Sequence, residues 1–187
     1  GPAGMIFNGD TYIGLNLATM DDQTLQYANQ HLRILSGLYG YLKPFDKIEP
    51  YRLEMGSNLT GAHGKNLYDF WEDSILKHLL SELQQDQSPF LFNLASNEYF
   101  KVLTHAQNKI KLKKEQLQII DFKFFINKAG NLKSPGFATK RARGQMARFI
   151  LEKRIEHPNH CKDFKDDQYR FNPDLSSDHH LVFIRPS

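Results

Sequence analysis

The sequence predicts a mixed α/β fold, in which a central mixed sheet of five or six strands is surrounded by helices. Long segments with apolar residues at three-to-four spacing indicate helices, and shorter apolar or alternating runs between them indicate strands. The run 89–94, PFLFNL, has the character of a buried strand and leads directly into a helix at 97–103 that Ser96 can cap. With 187 residues, 40% apolar and 24% charged, the chain is typical of one globular domain.

The other elements follow from the same patterns in chain order. Residues 5–17 alternate loosely and predict a short strand or an extended entry segment, and 118–126 predict a strand that returns antiparallel over 132–138. Further helices are expected at 21–35, 66–83 and 139–156, and a last hairpin at 168–171 with 180–185. Trp71 belongs to the apolar stripe of its helix, which favours a core position over base stacking. We expect a single domain over 5–187, after a Gly1–Gly4 start with the composition of a cloning remnant.

The segment 35–56 carries many glycines and prolines together with much apolar surface. A solvated loop would not hold that many apolar residues, and a regular helix or strand would not hold that many glycines and prolines. Gly37 can end the preceding helix, Gly40 allows a second turn, and Pro44–Ile48 suits a short second helix. This order predicts a helix-hairpin-helix-like element whose backbone amides bind an anion. The alternative is a helix that simply ends in a packed turn.

The helix at 139–156 combines a core stripe with an almost unopposed basic surface. Between residues 138 and 154 there are six basic residues and one acidic residue, Glu152. An ordinary solvated helix mixes charges of both signs, so this pattern indicates a phosphate-binding surface, with a solvated face as the alternative. The residues expected to face the core are Ala142, Met146, Phe149 and Ile150.

Four motifs in order resemble the bacterial peroxide-stress protein YaaA family: GDTYIGL at 9–15, the segment 35–56, NLASNEYFK at 93–101 and KRARGQMARF at 140–149. The resemblance implies a cytoplasmic protein that protects against hydrogen peroxide. It also implies a positively charged cleft and a helix-hairpin-helix element that binds DNA. Family members carry a further N-terminal portion before the first motif, and the resemblance implies that this portion is missing here.

We therefore expect a monomer that binds duplex or structured DNA through its phosphate backbone, with little sequence specificity and without a cofactor. The residues expected to contact DNA are Gly37, Tyr39, Gly40, Lys43, Arg52, Lys101, Lys140, Arg141, Arg143 and Arg148.

An enzyme that acts on a nucleic-acid base or nucleotide is the alternative function. Glu54, Glu98 and Tyr99 offer acid and base groups near the same motifs, although their spacing forms no recognisable catalytic set. Direct iron sequestration would also explain peroxide protection, but the sequence lacks a cluster of residues with metal-ligand spacing.

The cysteine, the paired histidines and the length of the apolar runs each exclude or disfavour one kind of feature. The single cysteine, Cys161, excludes an internal disulfide, and its polar neighbours predict an inert surface thiol rather than a redox sensor. His179 and His180 point to opposite faces of a strand, which does not favour a shared metal. The apolar runs are far shorter than the ~18 residues of a transmembrane helix, so no membrane partner is expected.

Overall fold

The computed structural model describes residues 1–187, which divide into two compact units. The first unit comprises Gly1–Ile6, Leu32–Pro89 and Ala95–Gln118, and the second comprises Phe7–His31, Phe90–Leu94 and Ile119–Ser187. The expected mixed α/β class is confirmed. The helices are α1 (Ala3–Ile6), α2 (Asp10–Leu15), α3 (Asp22–His31), α4 (Leu67–Trp71), α5 (Ser74–Asp86), α6 (Asn97–Gln107), α7 (Gly136–Lys153) and α8 (Pro158–Cys161). The strands are β1 (Ile34–Ser36), β2 (Gly40–Leu42), β3 (Phe90–Asn93), β4 (Gln118–Lys128), β5 (Asn131–Lys133), β6 (Arg170–Phe171) and β7 (His180–Pro186). None of the helices has both the length and the apolar character needed to cross a lipid bilayer.

A mixed five-stranded sheet forms the centre of the second unit. Its order is β3-β4-β7-β6, with β5 paired to β4. The pairing of β4 with β7 is parallel, whereas β5 and β6 pair antiparallel with β4 and β7. The alternating residues of β4 that face the core are all buried: Ile120, Phe122, Phe124 and Ile126. This strand, its hairpin return and the last hairpin were all expected from the sequence.

The basic helix α7 packs on this sheet through the stripe expected from its spacing. Ala142, Met146 and Ile150 are buried in the same cluster as the β4 side chains. The helix begins at Gly136, not at Thr139, and β5 correspondingly ends at Lys133. Pro135 is the extended residue before the helix (φ −60°, ψ 135°), and its ring already fixes φ at a value that suits this position.

Residues 5–17 form short helices, and the expectation of a strand there is wrong. Helix α2 crosses α7 at two glycines: a Cβ on Gly144 would overlap the Thr11 carbonyl, and one on Gly14 would overlap the Arg141 carbonyl. The apolar residues around Tyr12 and Ile13 suggested a strand. The close packing of this segment on α7 stabilises a helix instead, because tertiary contacts override local propensity.

The first unit is built around α6, which packs against α4, α5 and β1. Helix α6 begins after the Ser96 cap as expected, since the Ser96 hydroxyl accepts from the Tyr99 amide at 3.4 Å. The single helix expected at 66–83 is divided into α4 and α5 because Glu72 adopts a positive φ of 49°. Trp71, expected in the core, is partly buried, and its indole N–H donates to the Gly37 carbonyl at 3.0 Å.

The segment 35–56 holds a β-hairpin and no helix-hairpin-helix, which corrects the expectation for this region. Helix α3 ends at His31, and β1 and β2 pair antiparallel across the turn, with Ser36 opposite Gly40. No helix forms over 44–48, because the carbonyls of Pro44 and Asp46 accept from the amides of Gly4 and Ala3 instead. The residues at 1–4 therefore take part in the backbone hydrogen bonding of the first unit.

Cys161 is completely buried among the aromatic side chains of the second unit, so the expected surface thiol is wrong. Burial raises the pKa of this thiol to about 12. Cys161 is the last residue of α8, and it packs in the core of the second unit although its neighbours in the sequence are polar. A buried neutral thiol of this kind is chemically inert, which removes the basis for a redox-sensor role.

Candidate nucleic-acid interface

The ten residues expected to contact DNA are distributed over both compact units. Six of them lie in the first unit and four, all on α7, lie in the second.

On α7, the side chains of Lys140 and Arg141 are exposed. Lys140 makes no ion pair, and Arg141 Nη2 lies 4.0 Å from Asp10 Oδ1, at the outer limit of an ion pair. Exposed pairs of this kind contribute between 0 and about 1 kcal/mol, so Arg141 remains available to another anion.

Arg143 is the most unusual of these bases, because it is partly buried and makes no hydrogen bond or ion pair within the protein. Burial lowers the pKa of its guanidinium. A partly buried guanidinium without an acceptor in the protein needs water or an anion to satisfy its five donors. The guanidinium of Arg143 therefore has the chemistry of a phosphate-binding group.

Arg148, also expected to contact DNA, has partners inside the second unit. Its Nη1 donates to the Asn16 carbonyl at 2.8 Å, the Thr19 hydroxyl at 2.9 Å and the Leu15 carbonyl at 3.2 Å. Its Nε pairs with Glu152 one turn along the helix. These carbonyls lie at the C-terminal end of α2, where a cation offsets the helix dipole. Contact of Arg148 with phosphate stays a prediction.

Two lysines of the β4–β5 hairpin enlarge the basic surface and escaped the sequence reasoning. Lys133 lies opposite Ile126 in the hairpin register, and Lys128 is two residues further along β4, so both are on the sheet side that faces α7. A charge count would have found them: from Phe122 to Leu151 there are seven basic residues and no acidic one.

In the first unit, the residues of the 37–40 turn are held by neighbouring side chains. The Tyr39 amide donates to the Ser36 hydroxyl at 3.0 Å, and the Tyr39 ring meets the Tyr51 ring edge-on at 5.5 Å. Gly40 has φ +78° and lies on the Trp71 ring, where a Cβ would come within 2.8 Å of the ring carbons. A Cβ on Gly37 would lie 2.7 Å from the Leu53 carbonyl oxygen, so both glycines are required by the shape of the turn.

The three basic residues expected in the first unit are all exposed: Lys43, Arg52 and Lys101. The Lys101 ammonium lies over the Tyr68 ring, 5.0 Å from its centroid. Arg52 makes no hydrogen bond or ion pair within the protein and stands in a stretch without regular secondary structure. All three side chains can accept an anionic partner.

Glu54, Glu98 and Tyr99 come together in the first unit, as the enzyme hypothesis requires. Burial is the main cause that raises the pKa of Tyr99, followed by the charge of Glu98 and by Tyr51, while Glu54 adds a smaller contribution. A hydrogen bond with the Met55 backbone opposes the rise in this pKa. The Glu98 carboxylate accepts from the Gly56 amide at 2.9 Å, and the Tyr68 hydroxyl donates to the Glu98 carbonyl at 2.6 Å.

No three His, Cys, Asp or Glu residues are grouped in an arrangement that could hold a metal ion.

Comparison with known proteins finds one family across most of the chain. A family model described as "Peroxide stress protein YaaA" matches residues 1–175. A UPF0246 protein of Legionella pneumophila strain Corby is 45% identical over 185 residues, which are 98% of this chain and 69% of the relative. A UPF0246 protein of Caulobacter vibrioides strain NA1000 is 46% identical over 180 residues, 96% of this chain and 68% of the relative. One from Tolumonas auensis is 44% identical over 185 residues, 99% of this chain and 68% of the relative.

Proposed function

The chain belongs to the peroxide stress protein YaaA family, and on that premise we propose that it acts in the peroxide stress response by binding DNA through phosphate contacts from α7. Lys140, Arg141 and Arg143 are the contact residues. Lys43, Arg52 and Lys101 of the first unit stay predictions of further contacts. Binding of this kind tolerates sequence variation, because phosphate contacts carry no base identity.

Arg143 is the observation that carries the proposal. Surface arginines usually find a carboxylate or remain fully exposed, whereas this one is partly buried and has no acceptor within the protein. No acidic residue occurs within eight residues of it on either side, so nothing nearby in sequence neutralises the helix. A phosphate group would supply both the charge and the acceptor oxygens that Arg143 lacks.

The test is the affinity of Arg143→Gln for a labelled DNA duplex, measured by fluorescence anisotropy. We expect at least a several-fold loss relative to the wild type, with the same melting temperature or a higher one. Lys77→Gln is the matched control, since Lys77 is exposed and pairs only with Asp73 at 2.9 Å on α5. Equal affinity of the wild type and Arg143→Gln would remove the support that Arg143 gives.

A second candidate function is proton-transfer chemistry on a base or nucleotide, and the grouping of Glu54 and Glu98 around Tyr99 favours it. Two carboxylates beside a tyrosine whose pKa is raised can exchange protons with a bound ligand. Mass spectrometry of modified DNA and nucleotides incubated with the protein would reveal a product. That product should disappear with Tyr99→Phe and Glu54→Gln if this grouping is catalytic, and the absence of any product from the wild type would exclude the candidate.

A further inference from the structure

Phe137 is the most exposed large apolar side chain of the protein. It is 68% exposed, whereas the next, Ile13 and Leu175, are each 52% exposed. A phenylalanine in the first turn of a long helix gains little from facing water, and its ring makes no aromatic contact within the chain. The ring is therefore free to contact a partner.

The charges beside Phe137 indicate what that partner is. Phe137, Lys140 and Arg141 are at positions i, i+3 and i+4 of α7, so the three side chains share one face, and all three are exposed. The neighbouring β4–β5 hairpin adds Lys128 and Lys133, both exposed. We call these five residues the wedge surface. It contains one flat aromatic ring and four cations, and the Asp10 carboxylate lies 4.0 Å from Arg141 at its edge.

A flat ring among cations fits single-stranded or locally unpaired nucleic acid. The cations bind the backbone phosphates, while the ring stacks on a base that has lost its neighbour. Intact duplex offers phosphates to the same surface but no exposed base face. Proteins that insert an apolar wedge between bases gain from steps that are already unstacked, because less stacking energy is lost there.

We infer that Phe137 stacks on an unpaired base of the bound DNA, and that the protein prefers DNA with a gap or unpaired stretch to intact duplex. This inference rests on the proposed DNA-binding function and adds to it the structural class of the DNA. Lys140 and Arg141 hold the phosphates that flank the stacked base. Lys128 and Lys133 extend the contact along the backbone.

The test compares two labelled DNAs of the same flanking sequence, an intact duplex and a duplex with a short central gap that carries 2-aminopurine. The variants are Phe137→Ala, Phe137→Leu and Phe137→Trp, and Leu175→Ala is the control for loss of an exposed apolar side chain. Anisotropy gives the two affinities, and 2-aminopurine fluorescence reports stacking at the gap.

We expect the wild type and Phe137→Trp to bind the gapped DNA more tightly and to change the 2-aminopurine signal. Phe137→Ala and Phe137→Leu should lose about fivefold to 100-fold on the gapped DNA and keep their affinity for intact duplex within about twofold. Phe137→Leu retains an apolar side chain but lacks the flat ring. A loss of affinity in this variant therefore identifies stacking, and not folding, as the cause. All variants should melt at the wild-type temperature.

Two results would overturn the inference and leave the proposed function standing. In one, Phe137→Ala keeps the preference for gapped DNA. In the other, Phe137→Ala weakens binding to the gapped DNA and to the intact duplex by the same factor. A wild type that binds neither DNA at low salt overturns the proposed function itself, and the inference with it.

Discussion

The carboxylate of Glu98 accepts a hydrogen bond from the backbone amide of Gly56, with 2.9 Å between Oε1 and N. This contact joins the first turn of α6 to the turn at Met55 and Gly56; Gly56 lies 42 residues before Glu98 in the chain. A Cβ on Gly56 would lie 2.9 Å from the same oxygen, so the glycine is what allows the carboxylate to approach. Glu98 therefore has a structural role whether or not it also transfers a proton.

The first prediction separates the charge of Glu98 from its hydrogen bond. Glu98→Gln keeps an acceptor oxygen for the Gly56 amide and loses only the charge at the helix start, a contribution of about 0.3–1 kcal/mol. Glu98→Ala also removes the acceptor, which adds about 0.5–1.5 kcal/mol. In urea unfolding, the free energy of unfolding should be highest for the wild type, lower for Glu98→Gln and lowest for Glu98→Ala. Equal stability of Ala and Gln would show that the contact contributes nothing.

The second prediction concerns the crossing of α2 and α7. Gly144→Ala places a methyl group where the Thr11 carbonyl lies, and the helices must move apart. We expect a loss of about 1–3 kcal/mol, which lowers the melting temperature by roughly 2–4 °C per kcal/mol for a chain of this size. Gly136→Ala in the same helix is the control, because a Cβ there meets no atom within 4 Å. If Gly144→Ala and Gly136→Ala have the same melting temperature, the close crossing is not required for stability.

The same crossing shows where sequence reasoning succeeded and where it could not. Long periodic patterns predicted α6, α7 and β4, since each buries a stripe or a face that its spacing specifies. Gly14 lies at this close backbone approach. Its helix was missed, because α2 has only six residues and forms by packing on α7, whose position the local sequence does not contain.

The candidate site shows a similar division. The concentration of bases on α7 and the grouping of Glu98 with Tyr99 could be predicted from the motifs. The carbonyl partners of Arg148 could not, because Leu15 and Asn16, at the C-terminal end of α2, are more than a hundred residues away in the chain. The hairpin at 34–42 was mistaken for a helical element, since glycine stops a helix and turns a hairpin equally well.

The third prediction follows from those partners of Arg148. Arg148→Ala leaves the Leu15 and Asn16 carbonyls and the Thr19 hydroxyl without their donor, and it removes the pair with Glu152. We expect the melting temperature to fall, with amide exchange accelerated in α2. Lys153→Ala, an exposed base on the same helix, should change neither quantity. An Arg148→Ala protein that melts like the wild type would contradict this structural role.

The fourth prediction uses the buried thiol of Cys161. Its folded-state pKa is raised to about 12 from an ordinary value of 9.0. Between these two values the unfolded chain releases the thiol proton and the folded chain keeps it. Stability therefore falls as pH rises from about 9 to 12, by up to about 1.4 kcal/mol per pH unit.

Cys161→Ala, which lacks the thiol, should show a shallower fall in stability over the same pH range. In the native protein at pH 8 a thiol reagent should react only after addition of denaturant. Rapid modification of the native wild type would show that the thiol is accessible and would contradict its burial.

The salt dependence of DNA affinity tests the central claim most directly, because it counts the phosphates that the protein neutralises. The measurement compares the wild type with the double variant Lys140→Ala, Arg143→Ala on duplex DNA over a range of salt concentrations. Two lost contacts should reduce the slope of log affinity against log salt by about 1.8, at about 0.9 per phosphate. The melting temperature should not fall, since neither side chain has a partner within the protein. A slope equal to that of the wild type would contradict the assignment of phosphate binding to α7.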